Sequence, residues 1–505
     1  MLDKSRIELK HFHIARFVLE SKSAFSINSG LTDQTFDNML VRDANGLPAI
    51  PGTTLAGVIR SHYRRNNAAQ ADQADHEKLL FGGLIKGKDS DGNATETFRK
   101  SRLECSWGVV HDCHDAPVEG RADLHDTDLH DDDILTLLRQ DRPLVRDRVK
   151  LSAKGVAVEK HKFDHTCVPR GCRFSAEIGY WASEPQPPEW QQLLNLISSE
   201  PLRIGGSTSV GFGEFECVRM SFQVFDLSNP EDYANYAQMS VSLADTTGWQ
   251  THQPNNSALK RNQRVCLTLN PEDYWRVGEG TRSLADEPAK EPNLLPWHES
   301  EIRWNEQANI NAFLGERVVL IPGSAIKGVL RHRFCFHAHR LKLSSDDASV
   351  LAKKATNLLF GQAANYRDRT SPGAQSCLFV SDAQLTHPIS RENIQAISHS
   401  SIDRFTGGVR SGALFVEEML WDLGLEFRLE LDLIRLAHVL KDNNLLEAIN
   451  TDYLEQALSL TLDDLCNGRL ALGAGSNRGH GFFTGERDRD FEFSQIDMIS
   501  DEVAA

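Results

Sequence analysis

Short stretches in which apolar and polar residues alternate predict β-strands at several places in the chain. Residues 7–29 alternate in part and predict one long strand, residues 172–180 alternate well, and residues 264–269 resume the pattern in the second half. Between such stretches lie runs of helical spacing, in which residues such as Leu55 and Ile59 would face a core. The pattern thus predicts both strands and helices along the chain.

Two stretches repeat one motif, Ile-Pro-Gly followed by a small hydroxyl residue and an apolar helix that ends in Arg. They lie at residues 50–60 and 321–331. Pro and Gly interrupt the preceding strand, so Thr53 or Thr54 is predicted to cap the first of the two helices. Just upstream, Asp43-Ala44-Asn45-Gly46 predicts a tight turn between a short strand at 36–42 and its partner.

A glycine-rich loop follows each motif after nearly the same number of residues, at 203–213 and at 472–481. Three pairs of glycines coincide in register: Gly205 with Gly473, Gly211 with Gly479, and Gly213 with Gly481. Several motifs in one order at similar separations indicate a duplication rather than a solenoid of short repeats.

The duplication divides the chain into two domains. The predicted division is residues 1–222, a polar connector at 223–262, and residues 263–505. A length of 505 residues suits two or three domains. The N-terminus lacks an apolar signal core, and nine irregularly spaced cysteines favour a reducing compartment, so a cytoplasmic protein is expected.

The charge distribution narrows the choice of partner. A net charge of −16 argues against a protein that coats nucleic acid nonspecifically. Two long segments nevertheless carry basic residues and no acidic ones, from Asp43 to Asp72 and from Glu316 to Asp346. Their repetition at the same motif favours a localised basic groove, although two solvated helix faces would give the same pattern.

Together with Leu-Phe-Gly at residues 80–82 and 359–361, and Asp-Arg-Phe-Thr-Gly at 403–407, these motifs resemble those of the RAMP superfamily. The nearest resemblance is to two fused backbone subunits of a type III CRISPR effector complex, of the type III-D kind. It implies an α+β fold with two tandem ferredoxin-like domains, related to RNA-recognition motifs, with β-hairpin thumb insertions. It implies that the chain binds crRNA and target RNA beside a large polymerase/cyclase-like subunit and other backbone subunits.

The resemblance also implies an endoribonuclease that cuts target RNA at a flipped-out nucleotide. Asp37, six positions before Asp43, matches the family's catalytic position. A carboxylate there would deprotonate a 2′-hydroxyl or hold a divalent cation, Mg²⁺ or Mn²⁺, against the phosphate. Asp33 is the alternative, and a turn-capping role for Asp37 is the non-catalytic one.

The second half departs from this pattern. Its matching hairpin is predicted at residues 309–318, which contain no Asp, so the second site is predicted to be inactive unless Glu306, Glu301 or Glu299 replaces it. Residues 279–308, with Trp297 and Trp304, predict a thumb that stacks on bases. A lid packed on its own core is the alternative.

The predicted RNA contacts fall on helix starts, basic helix faces and glycine-rich loops, where backbone N–H groups can approach phosphates. Such contacts position RNA without reading its sequence. They are Thr53, Thr54, Arg60, Arg64, Gly205, Gly206, Ser207, Ser324, Lys327, Arg331, Arg404, Gly473, Gly475, Ser476, Asn477 and Arg478.

Other constellations are weaker. His111, Cys113 and His114, with His161, His165, Cys167 and Cys172, have zinc-ligand side chains but loose spacing, so zinc is not expected. His62 is a minor candidate for a general base, and the acidic run at 123–133 is expected to be a solvated loop. Two further functions stay open: a purely structural crRNA-binding backbone, and a crRNA-processing endoribonuclease.

Overall fold

A computed structural model describes the chain over residues 9–30, 39–66, 73–88, 94–122, 131–152, 157–254, 262–278, 280–286, 291–305, 311–343, 347–363, 373–442, 449–494 and 496. Within these ranges, no helix is long and apolar enough to cross a bilayer.

The first half contains a main antiparallel sheet, with most of its helices against one face, and two separate two-stranded hairpins. Its strands are β1 (His11–Ser21), β2 (Gly83–Lys88), β3 (Ala94–Arg99), β4 (Leu103–Cys105), β5 (Val109–Val110), β6 (Leu144–Leu151), β7 (Ala157–Cys167), β8 (Arg173–Ala182), β9 (Leu202–Arg203), β10 (Glu214–Asp226) and β11 (Gln250–Thr251). Its helices are α1 (Gly52–Asn66), α2 (Gln73–Phe81), α3 (Asp133–Leu138), α4 (Pro188–Ser198) and α5 (Pro230–Ala237).

The second half repeats the plan. Its strands are β12 (Asn262–Pro271), β13 (His298–Asn305), β14 (Asn311–Ile321), β15 (Leu378–Val380), β16 (Ala383–Leu385), β17 (Ile394–His399), β18 (Phe415–Leu420), β19 (Leu425–Asp432), β20 (Asn467–Ala471) and β21 (Phe482–Arg487). Its helices are α6 (Gly323–Leu341), α7 (Ala348–Phe360), α8 (Leu433–Asp442) and α9 (Thr451–Cys466).

Strand order shows that the halves share one topology. The first sheet contains β10-β1-β8-β4 as neighbours, and the second contains β21-β12-β19-β16. In the first sheet β1 lies between β10 and β8, and in the second β12 lies between β21 and β19. This is the antiparallel strand order of a ferredoxin-like βαββαβ unit. The predicted α+β fold with two tandem ferredoxin-like domains is therefore confirmed.

Helices cover one face of each sheet because their apolar stripes match it. In α1, Leu55 and Ile59 are fully buried beside Leu193 and Ile197 of α4. In the second half α6 and α9 take the corresponding places. Two hairpins, β6–β7 and β17–β18, project from corresponding positions just before β8 and β19.

The segment expected to be a connector folds onto the first half. Strand β10 continues to Asp226, and α5 covers the outer face of the sheet. The guanidinium of Arg16 on β1 donates to three carbonyls of this segment, those of Ser240, Ser242 and Asp245, each at 2.6 Å. The first half thus extends at least to β11, well past residue 222.

This added layer explains why the alternation in the first strand is incomplete. Phe12 and Ile14 are buried under the α5 layer, whereas Phe17 and Leu19 are buried under the helices. A strand covered on both faces needs no polar side, so its pattern weakens. The strand itself ends at Ser21, earlier than the sequence predicted.

Candidate functional site

The two glycine-rich loops have the same backbone geometry. Gly205 and Gly473 begin them with φ of +93° and +92°. The next amide of each loop donates to a carbonyl in the segment that follows the first strand, that of Ser26 or Arg276, at 2.9 and 2.7 Å. A Cβ on either glycine would overlap that carbonyl oxygen, so both positions require glycine.

Each loop continues into one turn of 3₁₀ helix, Thr208–Val210 and Ser476–Arg478. Residues with a left-handed backbone conformation flank both turns, with Gly211 and Gly479 at φ +91° and +89°. The duplication predicted from glycine register is therefore present in three dimensions.

The helix starts differ from the predicted caps. The helices begin at Gly52 and Gly323, so the hydroxyl residues that follow lie inside the first turn. Pro322 occupies the N-cap, and no side-chain cap bond forms there among the described residues. Proline is already held near the required φ and the glycine allows close approach of a neighbouring carbonyl, so the turn forms without a hydroxyl cap. Thr53 is exposed and Ser324 is half-buried.

The structure brings the first loop and the second helix start together. The Nζ of Lys327 on α6 donates to the carbonyl of Ser209 in the first loop at 3.0 Å, and also to Ser376 Oγ and the Leu378 carbonyl at 2.7 and 2.8 Å. Lys327 is only 5% exposed, which does not fit the predicted contact between this side chain and RNA. Burial lowers the pKa of its ammonium group to about 7.

A buried ion triad closes this joint between the halves. Arg146 on β6 donates to Glu299 at 2.6 Å and to Asp382 at 2.8 Å. Asp382 also accepts the amide of Gly323 at 2.8 Å, and the guanidinium of Arg146 lies 4.7 Å from the ring centre of Phe212. Burial opposes the charge on Arg146, but the two carboxylates outweigh it and hold its pKa above the usual range.

Most of the basic side chains that were predicted to contact RNA from the helices form hydrogen bonds or ion pairs within the protein. Arg60 and Arg64 donate to Glu77 at 2.5 and 2.6 Å. Arg331 donates to the Gly361 carbonyl at 2.7 Å and to Asn357. The Arg64 side chain is 61% exposed and remains accessible to RNA, whereas Arg331 is half-buried. These two basic segments therefore stabilise the fold through their hydrogen bonds, and exposed side chains such as Arg64 also present positive charge at the surface.

His62 lies buried on α1, where the two halves meet. Desolvation by burial, followed by the nearby Arg65 and Arg203, lowers its pKa to about 3. Arg65 donates to Asp432 of the second half at 3.0 Å. His62 is 7% exposed, so its position does not support the minor general-base assignment.

Arg148 is a candidate that the sequence analysis missed. Its Nη1 donates to Ser207 Oγ at 3.1 Å, beside the exposed Gly205 and Gly206, and its guanidinium lies 4.6 Å from the ring centre of Phe212. The Nε and Nη2 atoms are buried without a hydrogen-bond partner among the described residues. Buried N–H donors normally have a hydrogen-bond partner, so an anion bound at this loop would accept the hydrogen bonds that these two nitrogens can donate. The sequence carries no signal that distinguishes Arg148 from the neighbouring arginines, because its role depends on contacts with a distant loop.

The second loop remains open. Ser476, Asn477 and Arg478 are exposed, although Arg478 donates to the buried carboxylate of Glu417 at 3.1 Å. The side chain of Arg478 is 40% exposed.

The hairpin β17–β18 ends in an apolar tip with basic neighbours. Asp403 Oδ1 accepts the amides of Phe405 and Thr406 at 2.9 and 3.0 Å, which folds the Asp-Arg-Phe-Thr-Gly motif into a turn. Phe405 is fully exposed and Arg404 is exposed beside it. This tip combines a ring that can stack on a base with a cation, as single-stranded RNA binding requires.

The catalytic candidates Asp37, Asp33 and Glu306 lie outside the described residues. Of the predicted pair, Asp43 is described: its Oδ1 accepts the amides of Asn45 and Leu47 at 2.9 and 2.8 Å. Asp43 thus holds the predicted turn.

Backbone hydrogen bonds correct the alignment of the second half. The amide of Val41 donates to the carbonyl of Ile27, and that of Trp297 to Val277, both at 2.8 Å. Counting back four residues in sequence from Val41 and from Trp297 brings Asp37 into line with Asn293 rather than with residues 309–318. The earlier alignment was wrong because β13 and β14 are much longer than their first-half counterparts.

The acidic alternatives in the second half are committed to ion pairs. Glu299 belongs to the triad with Arg146, and Glu301, 2% exposed, pairs with Arg170 and with Arg303. Both carboxylates bind guanidinium groups instead of facing an open surface.

The hairpin β13–β14 packs on protein of the first half. Trp304 Nε1 donates to the carbonyl of Gly171 at 2.7 Å, and the ring lies 4.2 Å from the guanidinium of Arg173. Ile302 is buried in the first-half core, and Trp297 packs partly against the second. The predicted insertion is therefore a lid, and it covers the neighbouring half rather than only its own.

The His and Cys residues of the loose zinc constellation do not converge where they are described. Both ring nitrogens of His111 are engaged at 2.8 Å, by Asp115 and by Ser175. Cys167 and Cys172 are buried, and burial raises the pKa of the Cys167 thiol to about 12. No three His, Cys, Asp or Glu side chains of the described ranges are grouped as metal ligands would be. Residues 123–130 of the acidic run lie outside the described residues, and of His161 only the backbone, in β7, is described.

Comparison with known proteins gives one kind of match. A family model described as the RAMP superfamily matches residues 18–216 and again residues 304–484. No curated protein matches the chain. The two matched segments fall on the two ferredoxin-like halves and together span well over half of the sequence.

Proposed function

The chain belongs to the RAMP superfamily, whose proteins act in CRISPR RNA–protein complexes, and we propose that it is a backbone subunit of a type III effector complex. In this role it binds crRNA along both halves and holds the complementary target RNA. The large polymerase/cyclase-like subunit and other backbone subunits are its proposed protein partners. The observation that carries the proposal is the pair of equivalent glycine-rich loops and helix starts on one rigidly joined chain.

Phosphate contacts are proposed at the exposed parts of these elements. Gly205 and Gly206 present backbone at the first loop, with Arg148 beside them, and Gly473 presents it at the second. Thr53 adds a hydroxyl at the open start of α1. These groups recognise phosphate and leave the base edges free, so pairing between guide and target can do the reading.

The first half is proposed to cut the target RNA with Asp37. The carboxylate accepts the proton of a 2′-hydroxyl, whose oxygen attacks the adjacent phosphorus while the 5′-oxygen leaves and is protonated by solvent. The products are a 2′,3′-cyclic phosphate and a 5′-hydroxyl. A Mg²⁺ or Mn²⁺ ion held by Asp37 is the second role proposed for this carboxylate.

The second half is proposed to hold RNA without cutting it. Asn293 is proposed as the counterpart of Asp37 in sequence, because each lies four residues before the equivalent residues Trp297 and Val41. An amide neither accepts the proton nor ligates a hard cation well. The side chain of Asn293 accepts the amide of Val416 on β18 at 2.8 Å, which is a structural task in the hairpin β17–β18.

The test uses the assembled complex with a labelled target RNA. Asp37→Ala should slow one set of cuts at least about a hundredfold while leaving RNA binding unchanged. Asp33→Ala is the matched control and should cut normally. A chelator that abolishes cutting by the wild-type complex supports the metal role, and unaffected cutting supports the base role.

Two results would reject the cutting role. If neither Asp37→Ala nor Asp33→Ala slows any cut, the chain is a purely structural crRNA-binding backbone. If the isolated protein cleaves unprocessed repeat RNA, it is a crRNA-processing endoribonuclease instead.

A further inference from the structure

The two hairpins β6–β7 and β17–β18 can be matched residue by residue. Val168 and Leu420 occupy equivalent places, because each bridges to the segment that follows the first strand of its half. The residue five positions before each of them pairs across its hairpin, with Arg148 in the first half and with His399 in the second. His399 is therefore the counterpart of Arg148.

This exchange replaces a permanent cation by one that depends on pH. A guanidinium group keeps its charge at every pH at which a protein is folded, whereas an imidazole gains its charge near neutral pH. Arg148 has two buried nitrogens that lack a hydrogen-bond partner among the described residues and that an anion would satisfy. The second half offers a titratable group, His399, at the same place.

A buried carboxylate lies beside His399. Glu417 on β18 is fully buried, and its Oε1 accepts a hydrogen bond from Nε of Arg276 at 2.9 Å. Its Oε2 accepts one from Nη1 of Arg478, in the glycine-rich loop, at 3.1 Å. Nε2 of His399 lies 3.1 Å from the same Oε2, but the ring is not aligned to donate a hydrogen bond to it. Two cationic groups thus share one carboxylate oxygen.

The first half has no such carboxylate. Three residues before the equivalent bridges, His165 stands where Glu417 stands. Burial lowers the pKa of His165 to about 4, so its ring is neutral. The glycine register places Val210 opposite Arg478, so the first loop carries no arginine at that position either. Arg148 has no nearby rival in the first half, whereas the cations of the second half are bound to Glu417.

Of the three groups around Glu417, Arg478 is the one that RNA can reach. Its side chain is 40% exposed, whereas those of His399 and Arg276 are 21% and 5% exposed. Its guanidinium lies 5.8 Å from the ring centre of Phe415, and the ring of His399 stacks on that of Phe415 at 4.9 Å. The charge of His399 therefore acts within one carboxylate of the exposed arginine.

We propose that protonation of His399 releases Arg478 to bind an RNA phosphate at the second loop. Protonated His399 and the buried Arg276 together supply the positive charge that Glu417 needs, so the guanidinium of Arg478 can turn to a phosphate. With a neutral His399, a phosphate has to compete with Glu417 for Arg478. The inference rests on the proposed RNA-binding function and deepens it, since RNA affinity becomes proton-linked in one half only.

Two other titratable groups belong to the same elements. Glu418 is the neighbour of Glu417 on β18, but successive residues of a strand point to opposite faces, and its carboxylate accepts the hydroxyl of Ser283 there. His480 lies in the glycine-rich loop, with its ring 6.4 Å from that of Tyr274. His480 is therefore the alternative source of a pH effect at this loop, and its substitution provides the control.

Fluorescence anisotropy of the full-length protein with a labelled single-stranded RNA tests the proposal at constant salt. Wild type should bind about five- to tenfold more tightly at about pH 6 than at about pH 8. Its salt slope should be steeper by about 0.7 at the lower pH, because one more phosphate is neutralised. His399→Arg should bind at the higher pH as tightly as wild type does at the lower, and a gain of affinity cannot come from loss of folding.

Two variants should lose the pH dependence and bind weakly at both pH values: His399→Gln, which cannot be protonated, and Arg478→Ala, which lacks the released group. His480→Phe, which places the residue of the first loop in the second, should keep the wild-type pH dependence. Equal binding by wild type at both pH values, or a pH dependence that His399→Gln retains, overturns the proposal and leaves the RNA-binding role intact. Absence of RNA binding at both pH values overturns the proposed function and this proposal with it.

Discussion

Removing Arg146 should separate the contribution of the buried joint from that of each half. Arg146 is 3% exposed and its two partners, Glu299 and Asp382, come from the other half of the chain. Arg146→Ala leaves both carboxylates buried and without their cation. In the unfolded chain the same carboxylates are hydrated, so the whole cost falls on the folded state.

The expected loss follows from the burial of the pair. Breaking a buried ion pair by removing one partner costs about 3–5 kcal/mol of unfolding free energy. Arg148 lies nearby with two unsatisfied guanidinium nitrogens and can take over part of the interaction. The loss is therefore expected at the lower end, about 3 kcal/mol.

Urea unfolding of the full-length protein, followed by far-ultraviolet circular dichroism and by tryptophan fluorescence, measures this loss. The matched control is Lys162→Ala in the same hairpin, because Lys162 is 69% exposed and pairs with Asp147 at 3.2 Å. An exposed pair of this kind contributes less than about 1 kcal/mol. If Arg146→Ala costs no more than Lys162→Ala, the triad does not hold the halves together and the reasoning is refuted.

Four further outcomes are expected. Gly211→Ala should destabilise the protein more than Gly479→Ala in urea unfolding, because both substitutions strain a left-handed backbone but only the first collides with a carboxylate across the joint. The pKa of Lys327 is lowered from 10.5 to about 7, so unfolding free energy should rise from about pH 7 to about pH 10, and Lys327→Met should flatten that rise. The pKa of His62 is lowered to about 3, so stability should fall as pH drops below about 6.5, and His62→Gln should reduce that fall in thermal unfolding at pH 7 and pH 5. Arg148→Ala should weaken binding of a single-stranded RNA and reduce its salt dependence by about one phosphate contact, and an unchanged salt slope would contradict this role.

The topology was predictable because local signals and repetition agree. Glycine register located both loops, and the structure shows why: Gly205 and Gly473 each face a carbonyl that excludes a Cβ. Repeated glycines of this kind indicate backbone geometry directly, because a positive φ beside a close carbonyl tolerates only glycine.

The fate of the basic residues was not predictable, because it depends on partners far away in sequence. Lys327 reads as a helix-surface cation, yet it is buried by contacts to Ser209 and to the strand at Leu378. Arg146 carries no sequence signal that distinguishes it from its neighbours. In the structure it is nevertheless buried in an ion pair with Asp382, a residue of the other half. Long-range ion pairing is set by tertiary packing, which a local pattern does not encode.

The long hairpin shows how an insertion can mislead a motif alignment. Because β13 and β14 are extended, counting upstream from Ile-Pro-Gly reaches the hairpin tip rather than Asn293. Only the equivalent backbone bonds of Val41 and Trp297 restore the register.

The joint also indicates how one glycine-rich loop can serve two ligands. In the first half Gly205 and Gly206 stay exposed, whereas Ser209 and Gly211 are contacted by the second half. The loop is thus divided along its length, with an opening part free for phosphate and a closing part used for protein.

The second loop is not divided in this way. Gly473 corresponds to the opening part, and Asn477 and Gly479 correspond to the closing part that the joint covers in the first half. No described atom lies within 4 Å of the point that a Cβ on Gly479 would occupy, so the closing part is accessible in the second half. Asn477→Ala should therefore weaken binding of a single-stranded RNA, because the side chain is exposed where a phosphate can reach it. A filter-binding affinity equal to that of wild type would show that the closing part of this loop contributes no RNA contact.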